Sequence, residues 1–526
     1  MSVGRGPGEA PAPETPARLE RGLGPADATS IVVGSMIGSG VFIVSSDVSR
    51  LLGAPGWLLM AWVVAGLLTL LGSPCAAEVA AMLPRAGGQY VFLREAYGKM
   101  IGFVFGWATF LVVQTGTIAA VSVAFAKFLG VLVPEVSDSK YLLGPVHLPI
   151  RLGGMGFAIS LTTQQVVAIA LVVGLTLLNT RGLRSGKFIQ NAFTVTKIAA
   201  LLGLIALGIL HPKNLAAAAW SSSWWDSAAN GWTLAGTKVE GLPSAGAFGF
   251  LMVFGSAMVG PLFSQTGWNG VTFTGGEIRD PGKTFPRALL IGCGSVVGLY
   301  LLANLAYILT LPLEAIQTAP SSRVGTATLQ AIFPTAGAKL MAIAILISTF
   351  GCVNGLILSG ARVYYAMARD GLFFRRAGTT NAAHVPAFAL IAQGLWAALL
   401  VLPLTVKMKD VAGAKAEYGN LYNQLLEYIV PVDLIFYALM VGSVIVFRVG
   451  RPNADRPYKA WGYPVTPVVY IILAMLLFAN FVYLAPSTSG GGFLIALTGV
   501  PVYFAWSRFG KPFDAATPTS TPTPPR

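Results

Sequence analysis

The chain has 526 residues, of which 55% are hydrophobic and only 11% are charged, and its mean hydropathy is +0.69. In soluble globular domains about a quarter of the residues are charged. The composition therefore excludes a soluble globular protein and indicates an integral membrane protein. The net charge of +14 is spread over short connectors and forms no nucleic-acid-binding segment, so no nucleic acid is expected as a partner.

About twelve apolar stretches are long enough to cross ~30 Å of hydrocarbon as helices. They predict an all-α membrane protein without a separate soluble domain, because the connectors are short and irregular. Both ends of the chain are rich in proline and poor in apolar residues, which predicts disordered tails. No cleavable signal peptide is expected, because the first apolar run begins after a long tail and has full membrane length. The stretches lie near residues 28–52, 57–82, 100–126, 163–180, 188–210, 245–276, 286–311, 338–366, 385–403, 425–447, 464–484 and 491–507.

Two of these stretches are interrupted at corresponding places. The first contains Gly-Ser-Met-Ile-Gly-Ser-Gly over residues 34–40, and the sixth contains Ser-Gln-Thr-Gly-Trp-Asn over residues 264–269. A helix unwound at membrane depth is tolerated only where it lines a cavity or a ligand. Matched breaks in two halves of a chain are typical of a transporter binding site. Glycine-mediated helix packing is the alternative, and it explains either segment alone but not their matched positions.

The two breaks present opposite partial charges. Unwinding residues 38–40 frees backbone N–H groups, and the helix that restarts near Val41 directs the positive end of its dipole toward them, which suits a carboxylate. The second break ends a half-helix near Phe263, whose free carbonyls suit an ammonium group. One anion site opposite one cation site matches the backbone of a zwitterionic amino acid.

Lys197 lies about ten residues into the fifth span, ~15 Å from its cytoplasmic end. A lysine at this depth costs about 3 kcal/mol unless it faces a cavity or a partner, so it is a functional candidate. It either titrates as a proton site or acts as a structural pin that donates to the carbonyls of an unwound helix. The sequence leaves both interpretations open.

Other polar residues at membrane depth are further candidates. Ser348, Thr349 and Asn354 in the eighth span could contact Lys197, although a hydroxyl bonded to the carbonyl four residues back is an equal explanation. Gln114 and Thr115 in the third span could reach the pocket.

Several features argue against other functions. Glu78 and Asp433 are interpreted as structural, and no mid-membrane carboxylate is predicted beside either break, which counts against polyamine transport. The three histidines fall in loops without a metal-binding or nucleophile motif, and no selectivity-filter repeat is present, so an intramembrane enzyme and a channel are disfavoured. The cysteines Cys75, Cys293 and Cys352 are interpreted as apolar packing residues, and no metal or cofactor is expected.

Basic residues are distributed unequally between the two sets of connectors. The connectors at 84–99, 181–187, 279–287, 362–376 and 448–459 hold seventeen Lys and Arg, and the opposite connectors hold nine. The positive-inside rule therefore places the first set in the cytoplasm. An even number of spans then predicts that both termini are cytoplasmic.

Four segments together resemble the amino acid–polyamine–organocation superfamily. Residues 34–42 resemble its first-helix motif, and residues 263–269 with 277–281 resemble its sixth helix and the following loop. Residues 359–371 and the Arg-Pro-Tyr at 456–458 look like the end of its eighth helix and the start of its eleventh. The resemblance covers about residues 25–510 and is strongest to bacterial relatives of the L-type amino acid transporters.

The resemblance implies a LeuT-like 5+5 inverted repeat of about twelve transmembrane helices, with helices 1 and 6 unwound at mid-membrane. The implied divisions are a cytoplasmic tail (1–24), the first repeat (25–211), an extracellular loop (212–243), the second repeat (244–448), two peripheral helices (449–510) and a second tail (511–526).

The resemblance also implies roles for individual residues. Backbone around Ile37 to Gly40 would bind the substrate carboxylate, and carbonyls around Phe263 would bind the α-amino group beneath the aromatic gate. Lys197 matches a lysine that replaces a sodium ion, beside Ser348 and Thr349, which argues against sodium coupling. The predicted substrate-binding residues are Met36, Ile37, Gly38, Ser39, Gly40, Phe263, Ser264, Gln265, Thr266, Gly267 and Trp268.

Two departures from the family pattern refine this expectation. The family's sixth helix carries Phe-Ala-Tyr-x-Gly-Trp, whereas residues 264–266 here are Ser-Gln-Thr, which makes the pocket more polar and disfavours large aromatic substrates. The loop 131–162 contains no cysteine, so no disulfide-linked heavy subunit is expected.

The sequence thus predicts a secondary active permease, not an enzyme, that moves neutral L-amino acids across the cytoplasmic membrane by alternating access without sodium. Exchange and proton-coupled symport remain alternatives, with protons as a partner in the second. Polyamines or other organic cations are the alternative substrates.

Overall fold

The computed structural model describes residues 22–152, 155–181, 186–213, 222–237, 239, 242, 246–381, 383, 385–407, 417–418 and 420–509. The predicted tails, apart from residues 22–24, lie outside this part of the chain, as do Arg184 and His384.

Helices form at every predicted span. A π-helical turn (Thr109–Val113) joins two of them into one span, Lys99–Leu132, and another π-helical turn (Pro486–Gly490) begins the last span. The helices are α1 (Pro25–Met36), α2 (Gly40–Leu52), α3 (Pro55–Met82), α4 (Gln89–Tyr97), α5 (Lys99–Ala108), α6 (Gln114–Leu132), α7 (Thr163–Thr180), α8 (Gly186–Leu210), α9 (Ala247–Ala257), α10 (Val259–Ser264), α11 (Pro281–Thr310), α12 (Leu313–Gln317), α13 (Val324–Ile332), α14 (Gly337–Arg369), α15 (Ala387–Leu400), α16 (Leu421–Gly450), α17 (Val465–Leu484), α18 (Gly491–Leu497) and α19 (Gly499–Phe509).

Most of the predicted spans are long enough to cross a membrane. Within the described residues ten helices meet the requirements of length and apolarity, and the bent pair α1–α2 makes an eleventh. The predicted span 385–403 corresponds to α15, which is apolar but has only 14 residues. The structure confirms the helical membrane fold class, and the number of twelve crossings stays a prediction.

Helices at equivalent positions of the two halves pack against each other. Helix α2 packs on α10, α3 on α11, α6 on α14, and α7 on α15, so each partner belongs to the span five places later. A pseudo-twofold repeat produces this pairing. It brings the two interrupted spans together in the interior of the protein.

The connector after the third span is not the irregular loop that the sequence suggested. It forms the antiparallel strands β1 (Tyr141–Leu152) and β2 (Met155–Thr162), and β2 pairs with β3 (Pro403–Lys407), which in turn pairs with β4 (Glu417–Tyr418). In the register, Ala158 lies opposite Leu404. Because β3 follows the ninth span and is far from β2 in the sequence, no local sequence pattern predicts that the two strands pair.

Candidate functional site

The first break lies between α1 and α2. Helix α1 ends at Met36, the backbone of Ile37 is extended, and α2 begins at Gly40 with a bend of 42° relative to α1. Ser39, which precedes α2, forms no side-chain cap. The N–H groups of the first turn of α2 therefore lack the usual capping acceptor and remain suited to an anionic group.

Two long side chains bind the carbonyls at the end of α1. Lys197 on α8 donates from Nζ to the carbonyl oxygens of Gly34 at 2.8 Å and Ile37 at 3.0 Å. The hydroxyl of Tyr300 donates to the Met36 carbonyl at 2.8 Å. Lys197 is 1% exposed and crosses the break from one carbonyl to the other. This is the contact that the structural-pin interpretation requires.

The second break follows the end of α10 at Ser264. Gly267 has a φ of 85°, in the left-handed region that favours glycine, and a short 3-10 helix (Trp268–Phe273) continues the chain. The carbonyl oxygen of Phe263 accepts hydrogen bonds from the Thr266 amide at 3.0 Å and the Thr266 hydroxyl at 2.7 Å. Of the carbonyls predicted to receive an α-amino group, that of Phe263 is therefore already engaged.

The two breaks contact each other directly. A Cβ atom on Gly40 would lie 2.1 Å from Oγ and 3.2 Å from Cα of Ser264. A Cβ atom on Gly267 would lie 3.1 Å from the carbonyl oxygen of Ser35. Glycine at both positions is what permits this approach. A cavity of about 70 Å³ lies between the breaks.

The predicted site residues fall into two groups, those that line the cavity and those that do not. The cavity wall includes Met36, Gly38, Ser39, Gly40, Gln114, Phe263, Ser264, Thr266 and Gly267. The predicted residues outside its wall are Ile37, Thr115, Lys197, Gln265, Trp268, Ser348, Thr349 and Asn354.

The second group supports the elements around the cavity. Ser348 donates from Oγ to the Ile37 carbonyl at 3.5 Å, the same oxygen that Lys197 binds. Thr349 donates to the carbonyl of Ile345 one turn back, as the alternative interpretation expected. The others interact elsewhere: Thr115 with the Phe110 carbonyl, Asn354 with Asn179, and Trp268 with the ring of Tyr437.

A polar network that the sequence analysis missed lines the cavity beside the second break. The hydroxyl of Tyr437 accepts from the Gly267 N–H and donates to Oδ1 of Asn269, both at 3.3 Å. Nδ2 of Asn269 donates to Oε1 of Gln89 at 2.5 Å. Asn269 was visible as part of the interrupted span, but only tertiary packing brings Gln89 and Tyr437 to it.

Asp433 also lines the cavity, so the prediction that no mid-membrane carboxylate lies beside either break is wrong. It lies in α16, about 18 Å along the helix from Leu421 and about 26 Å from Gly450. It is 7% exposed, and no Lys, Arg or His nitrogen of the described residues lies within 4.0 Å of its carboxylate. An acidic residue inside an apolar stretch was the only sequence signal.

Two aromatic rings stand between this cavity and a larger one. The ring of Phe263 lies edge-on to Tyr422, with 6.2 Å between centroids, and the Tyr422 hydroxyl is 3.1 Å from Oγ of Ser39. Tyr422 also lines a second cavity of about 410 Å³, beside Lys127 and the start of β1 at Tyr141. Phe263 thus lines the smaller cavity and contacts Tyr422, which lines the larger one, and its role as a gate stays a prediction.

A multi-pass helical membrane protein whose two helix breaks enclose one cavity is a transporter in its architecture, not an enzyme. The chain belongs to the amino acid permease family, whose sequence profile matches residues 23–505.

Named relatives are similar over nearly the whole chain. The serine/threonine exchanger of Bacillus subtilis (strain 168) is 27% identical, over 93% of this chain and 98% of its own length. The large neutral amino acids transporter small subunit 2 of Mus musculus is 28% identical, over 94% and 83% respectively. The Asc-type amino acid transporter 1 of Homo sapiens is 27% identical, over 92% and 82%.

Proposed function

We propose that this permease exchanges small neutral L-amino acids across the cytoplasmic membrane by alternating access, without sodium and with both termini in the cytoplasm. The observation that carries the proposal is the meeting of two helix breaks of opposite polarity across one cavity. The names of the relatives, which include a serine/threonine exchanger, agree with this substrate class.

The polarity of the cavity supports a zwitterionic substrate. The uncapped amino end of α2, at residues 38–40, would bind the carboxylate by backbone N–H groups and the helix dipole. The carboxyl end of α10, at Ser264 to Thr266, would bind the ammonium group together with the carboxylate of Asp433. Each charged end of an amino acid thus has an oppositely polarised partner.

The contacts of Lys197 support transport without sodium. Its ammonium group donates hydrogen bonds to the carbonyl oxygens of Gly34 and Ile37, and the Ser348 hydroxyl lies beside them. A sodium ion at this place would need the same oxygen atoms. A lysine bonded to two carbonyl oxygens at the first break acts as a structural pin, which favours exchange over proton coupling through that lysine.

The size and composition of the cavity support a small substrate. About 70 Å³ is available between the breaks, and the wall combines aromatic rings with the hydroxyls of Ser39, Ser264 and Thr266. A short aliphatic or hydroxyl side chain fits such a wall better than a large aromatic one.

Organic cations are a second candidate substrate class, because Asp433 supplies the acidic group that the sequence analysis had not placed at the pocket. The test is counterflow: purified protein in liposomes loaded with unlabelled L-alanine, L-serine, L-leucine, L-lysine or putrescine, with radiolabelled L-alanine outside. Alanine and serine should drive accumulation in sodium-free buffer. No accumulation of alanine under any loading, together with accumulation of radiolabelled L-lysine or putrescine in vesicles loaded with the same cation, would replace the proposal with cation transport.

A further inference from the structure

The carboxylate of Asp433 is unusual among the charged groups that the structure describes at membrane depth. Lys197 on α8 has two carbonyl partners, and Glu78 on α3 forms a bidentate pair with Arg448. Asp433 has no cationic partner within 4.0 Å among the described residues, although it lies near the middle of α16 and is 7% exposed. The described residues therefore place no cation beside this carboxylate, which has the neutral hydroxyl of Tyr437 as a hydrogen-bonding neighbour.

The space beside Asp433 is polar but incompletely bonded. Asp433 lines the substrate cavity together with Thr266 and Gly267 at the second break, and it also lines an adjoining chamber of about 30 Å³. Gln265 lines that chamber, and neither its amide nitrogen nor its amide oxygen has a hydrogen-bond partner in the described part of the chain. A positively charged group that donates hydrogen bonds would satisfy the Asp433 carboxylate and the amide oxygen of Gln265, whereas the amide nitrogen of Gln265 needs an acceptor.

From this geometry we propose that Asp433 is the counter-ion of the substrate's ammonium group, and that its charge prevents the empty transporter from reorienting. The inference rests on the proposed exchange of amino acids and explains why transport would be limited to exchange. In an alternating-access cycle, both the loaded and the empty protein pass through a state in which the cavity is closed to water.

The argument follows from the desolvation of a charge. Closing water out of the empty cavity leaves the Asp433 carboxylate without solvent and without a counter-ion, which is strongly unfavourable. A bound amino acid supplies an ammonium group at the same place, so the loaded protein closes more easily. A ligand shifts a conformational equilibrium only through such a difference in interaction between the two states.

The test compares exchange with net flux in the same vesicles. Proteoliposomes are loaded with radiolabelled L-alanine, and efflux is measured with and without unlabelled L-alanine outside. Wild-type protein should release the label much faster when external alanine is present. Asp433→Asn keeps the size of the side chain and removes its charge, so the ratio of exchange to net efflux should fall about tenfold. Glu427→Gln, on the same helix but outside the cavity wall, should keep the wild-type ratio.

Two other results would each refute a different part of the account. A wild-type ratio near one would refute the proposed exchange, whereas a high wild-type ratio that Asp433→Asn leaves unchanged would refute the role of Asp433. If that variant transports nothing, Asp433→Ser, which also removes the charge and keeps a polar side chain, replaces it. A ratio of exchange to net efflux that stays at the wild-type value in Asp433→Ser would overturn the inference.

Discussion

Gly40 has no Cβ atom, and this permits the two helix breaks to contact each other, since any Cβ there would clash with Ser264. Gly40→Ala should lower the exchange rate at least about tenfold, because the overpacked breaks must separate. Ser264→Gly in the same chain should restore part of the activity, since the nearest atom of residue 264 to the new Cβ would then be Cα at 3.2 Å. Exchange assays on the single and double variants test this, and a double variant no better than Gly40→Ala would contradict it.

Lys197 is the residue whose removal should affect the first break most. Lys197→Ala would remove the ammonium donor from the carbonyls of Gly34 and Ile37 and leave Ile37 with the 3.5 Å contact to Ser348, so the break should lose its shape and exchange should fall more than about tenfold. The protein should still fold, which size-exclusion chromatography and thermal unfolding would show. Wild-type transport by a folded Lys197→Ala protein would remove the lysine from the mechanism.

The residues of the site differ in how readily the sequence discloses them. Gly38, Gly40 and Lys197 interrupt apolar stretches, and a local pattern is enough to find them. Asp433 gave the same kind of signal, but the sequence did not say which cavity it would face. Tyr422 and Gln89 lie in segments without any anomaly, and only the packing of distant helices places them beside Ser39 and Asn269.

At the scale of helices, Glu78 joins three elements near the carboxyl end of α3. Its carboxylate accepts hydrogen bonds from Nε and Nη2 of Arg448 on α16 at 2.9 and 2.6 Å, and from the Ala460 N–H that leads to α17 at 2.7 Å. Glu78 is fully buried, so its partners would be left unpaired without its charge. This contact network agrees with the structural interpretation that the sequence analysis gave to Glu78.

Glu78→Gln should therefore lower the free energy of unfolding by about 3 kcal/mol. A partly exposed carboxylate provides the control. Glu95 pairs with Arg94 at 3.0 Å, Arg451 at 3.2 Å and Arg85 at 3.9 Å, and Glu95→Gln should cost less than about 1 kcal/mol because solvent screens these pairs. Denaturant titration of both variants in detergent micelles measures the difference. Equal losses would show that burial of the Glu78 pair contributes nothing beyond a surface ion pair.

The helices were more predictable than their connections. Every predicted span contains a helix because runs of apolar residues are a local property. The β-sheet was missed because β2 and β3 lie far apart in the sequence, with several spans between them. Their pairing is a consequence of the helix arrangement.

At the scale of the whole molecule, the distribution of basic residues predicts the orientation in the membrane. Ser139 lies in an extracellular connector in this orientation, and Lys283 lies in a cytoplasmic one; both are exposed, whereas the three native cysteines are buried. A membrane-impermeant thiol reagent added to intact cells should label Ser139→Cys and leave Lys283→Cys unlabelled until the cells are opened. Labelling of Lys283→Cys but not Ser139→Cys in intact cells would show that the orientation is the reverse of the predicted one.

The most direct measurement is uptake of radiolabelled L-alanine into proteoliposomes that are either empty or loaded with unlabelled L-alanine, at equal pH and with an inward proton gradient. Exchange predicts uptake into loaded vesicles alone, at a rate that the gradient does not change. Gradient-driven uptake into empty vesicles would contradict exchange and establish a proton-coupled symporter.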